Sequence, residues 1–527
     1  MMRWQPVGRL LARFLPPALV GAFALLGFAP YSFWPVVVLS LALLFGLIDA
    51  AATPRRAALV AWAWGFGFFT ATIHWIFISL HTYGGMPAIV AILAIVGLAA
   101  FLALYPALAA FLARKLAGQS RTGLLLTALP ALWLLIEWLR GWLFTGFPWG
   151  AVGYSQMPDG PLAGFAPIIG VYGVSGLVAL LAGVAVWLIS RQFQLSDKLA
   201  LLAAVLLCGA GYGLKQVVWT EPAGKPLKVA LLQGAIPQNQ KWGIDDLIYN
   251  LRTYYHLVKE AKADLIVLPE TAFPIFLHEV PDDYLEAVLS YATAQNAALI
   301  AGAPRQDGKS ERYYNGAVLL TDPARPSNYK AHLVPFGEYI PIRPVFGWVY
   351  DNILQMPLVD FSSGGAVQKP LPVRDQRIAA NICYEDVFGE ELLPNARQAT
   401  ILLNLSNLAW FDGSVALAQH GQISQTRALE TGRPMLRATN SGTTAVITPD
   451  GHYAARLPER VEGTLYAMVQ GMQGETPYMW WGNVAALLLA AVGLAIALIA
   501  RRRARFEYWH GVESMDSLYI DSSLTSS

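Results

Sequence analysis

The chain has 527 residues, 55% of them hydrophobic and only 14% charged, a composition too apolar for an ordinary soluble globular protein. Its formal net charge of +2 supplies no basic field, so no nucleic-acid partner is expected and cationic residues matter by position. Its two cysteines exclude a disulfide scaffold: Cys208 falls inside a hydrophobic run, which leaves Cys383 as a free thiol.

Eight hydrophobic stretches approach the ~20 residues that cross ~30 Å of hydrocarbon. They are Phe14 to Ala29, Phe33 to Ala51, Ala57 to Leu80, Pro87 to Ala113, Gly123 to Leu139, Ile168 to Ser190, Leu199 to Val218 and, after a long polar interval, Val484 to Ala500. The first follows Arg3, Arg9 and Arg13 as a signal peptide would, but further spans follow at once, so it reads as a retained helix. Lys and Arg gather in every second loop, at Arg55 and Arg56, at Arg114, Lys115 and Arg121, at Arg191 and Lys198, and after the last span at Arg501, Arg502, Arg503 and Arg505. Positive loops stay in the cytoplasm, so both termini are expected there and the polar interval outside it. The implied division is a seven-helix membrane domain at 1–219, an extracytoplasmic domain at 220–476, a returning helix at 477–505 and a loose polar tail at 506–527. Glu137 and Arg140, at the end of the fifth span before GWLFTGFPWGAVGYSQ, are either functional charges or a structural pair. His74 in the third span reads as a packing residue.

Between the seventh and eighth spans, Lys225 to Trp242 reads as a strand followed by a turn-rich loop, and apolar runs at Leu265 to Leu268, Ala298 to Gly302, Ala317 to Leu320, Ile378 to Ile382, Ile401 to Asn404 and Thr444 to Ile447 read as strands. Helical intervals at Asp245 to Ala261 and Asp282 to Gln295 alternate with them, which implies a layered α/β domain. Three strand ends carry chemistry. ADLIVLPETAFP ends in Pro-Glu and delivers Glu270, enclosed by Pro269, Phe273 and Pro274, as a candidate base. YKAHLVPFGEYIP sets Lys330 and Glu338 on a Pro/Gly-containing segment. RIAANICYEDVF presents Cys383 after a strand and before Tyr384, Glu385 and Asp386, the acidic first turn of an expected helix whose dipole would favour the thiolate. Taken singly, Cys383 reads as core, Lys330 as a surface residue, and Glu338 and Glu385 as local caps or pairs. Nothing has metal-ligand spacing, and neither a metal nor a cofactor is expected. Pro344 to Phe361, rich in large apolar residues, reads either as an ordinary core segment or as a mobile arm dipping into lipid, with Phe273, Ile275 and Phe276 at the same mouth.

Glu, then Lys, then Cys, each at a strand end, resembles the nitrilase (carbon-nitrogen hydrolase) superfamily. The YKAHLVPFGE segment and the flanking spans make the chain similar, over nearly its whole length, to the apolipoprotein N-acyltransferase family. That resemblance implies an α-β-β-α sandwich joined to a polytopic helical membrane domain. It implies Glu270 as base, Lys330 and the Tyr384 N–H as oxyanion donors, Cys383 as nucleophile, and Glu338, Tyr384 and Glu385 in support. Trp242, Trp348 and Tyr350 would stand at the substrate entrance, with Asn404 to Ser414 and Arg427 to Gly442 framing the site. The implied reaction moves an acyl chain from a membrane phospholipid, through a Cys383 thioester, to the α-amino group of a diacylglyceryl-modified apolipoprotein at the periplasmic face of a bacterial inner membrane. The alternatives are a membrane-tethered amidase with the same three residues and a transporter with an accessory domain.

Overall fold

The computed structural model describes residues 5–189, 194–240, 243–306, 312–349 and 360–524. Among them, five helices are long and apolar enough to cross a membrane: Ala88–Ala117, Arg121–Arg140, Ala163–Ile189, Leu195–Leu214 and Val484–Phe506. Two shorter apolar helices, Arg13–Gly27 and Pro35–Asp49, and the helix Pro54–Ile73 pack beside them. Pro54 follows the N-cap Thr53, whose hydroxyl accepts from the Arg56 N–H, so the third helix starts where its first N–H group would in any case lack a partner. The fourth span is two helices, Ala88–Leu102 and Leu104–Ala117, because Pro106 has no N–H to return to the Leu102 carbonyl. Gly21 and Gly67 allow the first and third helices to touch along their backbones: a Cβ on Gly67 would lie 1.9 Å from the Ala18 carbonyl oxygen. Leu199, Leu202, Val205 and Leu206 on the seventh span face outward, a surface that hydrocarbon covers without penalty. The last helix does not stop where a loose tail was expected. It runs from Val484 to Leu524, with no proline after its start to break it.

The intervening domain holds two six-stranded sheets. The first has the order β12-β1-β2-β3-β4-β5, with β1 Glu221–Gln233, β2 Leu265–Val267, β3 Ala298–Gln306, β4 Tyr313–Leu319, β5 Ser327–Tyr329 and β12 Gly463–Gln473. The second has the order β11-β10-β9-β8-β7-β6, with β6 Leu371–Val373, β7 Gln376–Ile382, β8 Ile401–Ser406, β9 Met435–Thr439, β10 Ala445–Ile447 and β11 Tyr453–Arg456. Strands β1 to β3 and β7 to β9 are parallel. Both faces of these strands are covered, which is why they read as unbroken apolar runs. In β2, Leu265 and Val267 point between the sheets, while Ile266 meets Leu251, Tyr254 and Val258 of the helix Ile244–Glu260 and Val288 of the helix Asp282–Ala294. On the far side, Leu402 and Met435 pack against Leu393, Ala396 and Ala428 from the helices Gly389–Ala396 and Ala416–Thr431. The layers are therefore α-β-β-α. Sequence patterning missed β5, β6 and β11, which are only three or four residues long, the five-residue β9, and β12, whose polar alternation reflects one open face.

The membrane and sandwich domains meet through the stretch after the fifth span. Glu137 and Arg140 do not pair with each other. Glu137 accepts from Trp133 Nε1 at 3.1 Å and the Val152 N–H at 3.0 Å, while Arg140 donates to the Trp149 carbonyl at 2.8 Å and to that of Phe147. Together they fix residues 147–152, from which Trp149 Nε1 donates to Gln419 Oε1 at 2.7 Å in the sandwich. On the other side, the sixth span is broken at Gly170 (φ 64°), and Glu430 Oε1 accepts from the N–H of Val171 where the helix resumes. His74, expected as a packing residue, is exposed, and its Nδ1 faces the Ala71 carbonyl.

Candidate active site

Parallel strands deliver their carboxyl ends to one side of a sheet, where substituents from several strands converge. Glu270 follows β2, Lys330 follows β5, Cys383 follows β7 and Asn407 follows β8. Glu270 Oε1 accepts from Asn315 Nδ2 at 2.8 Å and Oε2 from the Asn407 N–H at 2.8 Å. Asn315 also accepts the Lys330 N–H on its carbonyl, so one strand residue registers both groups. Lys330 is only 1% exposed, far from the surface role open to a lone lysine. Its Nζ lies 2.9 Å from Glu338 Oε1 and 3.9 Å from Glu270 Oε1, and Glu338 Oε2 accepts the Val334 N–H at 2.7 Å. Burial alone would lower the Lys330 ammonium, but Glu338, Cys383 and Glu270 outweigh it and raise it, so the cation persists.

The residues after Cys383 form a short 3-10 turn, Cys383–Val387, and not the α-helix expected. Cys383 itself has φ 56°, a left-handed conformation that costs an ordinary residue about 1–3 kcal/mol and aims its thiol off the strand end. Asn404 Nδ2 holds the Cys383 carbonyl at 3.0 Å. Without an α-helix, the anticipated acidification by a dipole is missing, and the resting thiol is driven the other way. Burial, then Glu270, push it well above its ordinary value; Lys330 pulls it down, Glu338 pushes it up, and the Tyr384 N–H pulls it down. A thiol in that position needs a base to ionise it. Glu385 points back under the turn: Oε2 accepts from the Ile382 N–H at 2.6 Å, and Oε1 from those of Ala331 at 2.6 Å and His332 at 3.0 Å. It thereby ties the segment after Lys330 to the end of β7. Tyr384 turns outward to the membrane domain, its hydroxyl 3.3 Å from the Gly146 carbonyl, beside a wall in which His332 stacks on Phe388 at 3.6 Å.

Glu270, Lys330, Glu338, Cys383, Tyr384 and Glu385 thus stand together. Trp348 lies on the helix Arg343–Val349 just beyond the Glu338 loop and is 67% exposed. Trp242, Tyr350 and most of the expected arm fall outside the described residues. Asn315 was missed by sequence reading, and Asn404 and Asn407 were included only within the framing tract Asn404 to Ser414, although a polar Asn inside or closing an apolar strand is a visible signal. Gly302 on β3 has a specific reason: a Cβ there would sit 2.5 Å from the Pro269 carbonyl oxygen and 2.6 Å from Glu270 Cα. Both neighbours are backbone, so Gly302→Ala is expected to displace Glu270 and to lower both Tm and turnover, read by thermal unfolding and initial rate.

Residues 20–184 match the family model described as the apolipoprotein N-acyltransferase N-terminal domain, and residues 228–478 match carbon-nitrogen hydrolase. The chain is 46% identical over 501 residues to the apolipoprotein N-acyltransferase of Chromobacterium violaceum, covering 95% of this chain and 96% of that one. The chain belongs to the apolipoprotein N-acyltransferase family. The Nitrosomonas europaea relative is also 46% identical, over 91% of this chain and 96% of its own. Among solved structures, the C. elegans NitFhit protein is 20% identical, with a TM-score of 0.38, over 47% of this chain and 61% of that one. As a member of the apolipoprotein N-acyltransferase family, the chain is an acyltransferase built on a carbon-nitrogen hydrolase domain.

Proposed function

We propose that this site moves a fatty acyl chain from a membrane phospholipid to the α-amino group of a diacylglyceryl-cysteine on an apolipoprotein, by way of a thioester on Cys383. The observation that carries the reading is a buried lysine held between two carboxylates beside a cysteine on a strained turn. Glu270 takes the thiol proton as sulfur attacks the donor ester carbonyl, and the Lys330 ammonium and Tyr384 N–H face the oxyanion that forms. Collapse breaks the ester C–O bond, the glycerol oxygen takes the proton from Glu270, and a lysophospholipid leaves. The acceptor amine then attacks the thioester and gives its proton to Glu270. Collapse of the second adduct forms the amide and expels the thiolate, which recovers that proton. Two half-reactions at one cysteine make the kinetics ping-pong. Glu338 and Glu385 hold the cation and the turn in register. Membrane helices suit this chemistry, since drawing either lipid into water would cost about 0.8 kcal/mol per exposed CH₂.

The same reading makes the chain an eight-span inner-membrane protein with domains at 1–219, 220–476 and 477–505, both termini cytoplasmic and Cys383 periplasmic. Its support is spatial as well as sequential: Arg121 pairs with Asp49 at 2.6 Å and Arg501 reaches the Lys115 carbonyl at 3.2 Å, gathering the positive loops at one end of the bundle. An alkaline phosphatase fused within 220–476 is expected to be active; an inactive fusion there, with a cytoplasmic reporter active instead, would sink the orientation. At the mouth, Trp348→Ser is expected to slow turnover on bilayer-embedded donor while leaving Tm unchanged, and equal turnover would remove Trp348 from the entrance.

The decisive experiment is mass spectrometry of the purified protein after incubation with phospholipid and no amine acceptor. One acyl chain on Cys383, released by hydroxylamine, is expected. An acyl label on another residue, or release of free fatty acid with no labelled intermediate, would overturn the assignment and favour the tethered hydrolase.

A further inference from the structure

Beneath the nucleophile turn lies a polar cluster that the proposed chemistry does not use. Asp386, three residues after Cys383, has no exposed surface. Its Oδ1 accepts from His420 Nε2 at 2.6 Å, and its Oδ2 from the Ser424 hydroxyl and from Arg437 Nη1 at 3.3 Å. Arg437 Nη2 faces His420 Nδ1 at 3.4 Å, which leaves the Nε2 proton for Asp386. Arg437 also donates to the Thr443 carbonyl at 3.2 Å and to Ser424, so its guanidinium is tied to the connection between β9 and β10 and to the helix Ala416–Thr431. His420 and Ser424 belong to the helix Ala416–Thr431, and the Trp149 ring of the membrane domain lies against His420 at 5.9 Å. Sealed from solvent and directed away from the cleft, the carboxylate cannot exchange a proton with a substrate.

A five-residue turn that begins with a left-handed cysteine does not hold that shape by itself. Its front is fixed by Asn404 and Glu385, and its underside only by Asp386 among its own side chains. We infer that Asp386, locked by His420, Ser424 and Arg437, is a positioning residue that holds the Cys383 sulfur against Lys330 and the Tyr384 N–H. The inference rests on Cys383 being the nucleophile.

Asp386→Asn leaves Arg437 buried without its counter-charge and is expected to unfold part of the population, so it cannot serve alone. The double variant Asp386→Leu with Arg437→Met removes both charges, and Ser424→Ala keeps both but removes the hydroxyl that donates to Asp386 and accepts from Arg437. For the double variant in the full-length, detergent-solubilised protein, Tm should stay near that of wild type. The maximal rate of acyl-enzyme formation from phospholipid should fall at least ~10-fold with KM within about twofold, as for an interaction that matters in the transition state alone. The pH midpoint for alkylation of Cys383 by iodoacetamide, mapped by peptide mass, should move by about half a unit or more as the sulfur leaves its cation and N–H. Ser424→Ala should show the same changes in smaller measure. A double variant with wild-type maximal rate, or one slowed only in proportion to its unfolded fraction with the alkylation midpoint unmoved, would overturn the inference. Wild-type Cys383 that alkylates but takes no acyl chain from phospholipid would instead sink the proposed activity, while the alkylation midpoint still judges the positioning role.

Discussion

Cys383→Ala is expected to abolish acyl transfer, and Lys330→Met and Glu270→Gln are each expected to slow acyl-enzyme formation by at least ~10², the usual loss for a removed base or oxyanion donor. Burial and the neighbouring carboxylates raise the Cys383 thiol and keep it protonated at rest, so a variant that keeps the shape of Glu270 but loses its charge leaves that proton without its base. Lys330→Met has a second effect. Glu338 and Glu270, 2.9 Å and 3.9 Å from the ammonium, would then share a buried site with no cation between them. Removing one partner of a buried ion pair typically costs about 3–5 kcal/mol, so Tm should fall with the rate. Lys330→Arg should not rescue, because a planar fork does not fit a site built around one compact ammonium. Cys383→Ser should be very poor, since a hydroxyl is far less acidic than a thiol. Single-turnover acylation and thermal unfolding of the same preparations check all five variants. Normal acylation in Cys383→Ala would remove the nucleophile, and normal acylation in Lys330→Met would remove the cation from the transition state.

Acidification through about pH 7 should switch transfer off, through Glu385. Burial raises its carboxyl from 4.5 to about 7, against the opposing pull of the His332 N–H, Lys330 and the Ile382 and Ala331 N–H groups. Those three N–H groups need a charged acceptor; once protonated, Glu385 presents them with a hydroxyl, and the tie between the Lys330 segment and β7 loosens. The sign for stability is opposite. Between 4.5 and about 7 the folded chain binds more protons than the unfolded one, so the contribution of this group is fully present below 4.5 and is lost as pH rises through about 7. Glu430, buried beside Arg427 and likewise raised to about 7, adds a change of the same sign. The expected result is a rate that falls and a Tm that rises as pH drops across this window. In Glu385→Gln the acidic limb near 7 should disappear and the rate at pH 8 should be at least ~10-fold lower, since an amide turns a donor toward N–H groups that need an acceptor. A limb that persists unchanged in that variant would assign it to another group.

The two kinds of information divide along a physical line. Periodicity and composition alone determined the apolar spans, the alternation of positive loops, most of the long strands and the strand-end placement of Glu270 and Cys383, because each is a local preference repeated over several residues; the three-residue β5 that carries Lys330 was too short to show. The family could be read from one short segment, YKAHLVPFGE, together with the order of those three residues. Tertiary structure alone decided how deeply Lys330 is buried and which way the thiol shifts, since both depend on groups more than 40 residues away in sequence, such as Glu270 for Cys383. It decided that Glu137 and Arg140 brace a loop and do not pair, although their spacing on one helix allowed either. It decided that Cys383 opens a left-handed 3-10 turn: that conformation is unfavourable for the local sequence and persists only where Asn404 from β8, Glu385 and the buried Asp386 cluster hold it. Local preference fixes the elements a chain forms, whereas strain, burial and charge at a site are properties of the neighbours that folding brings to it.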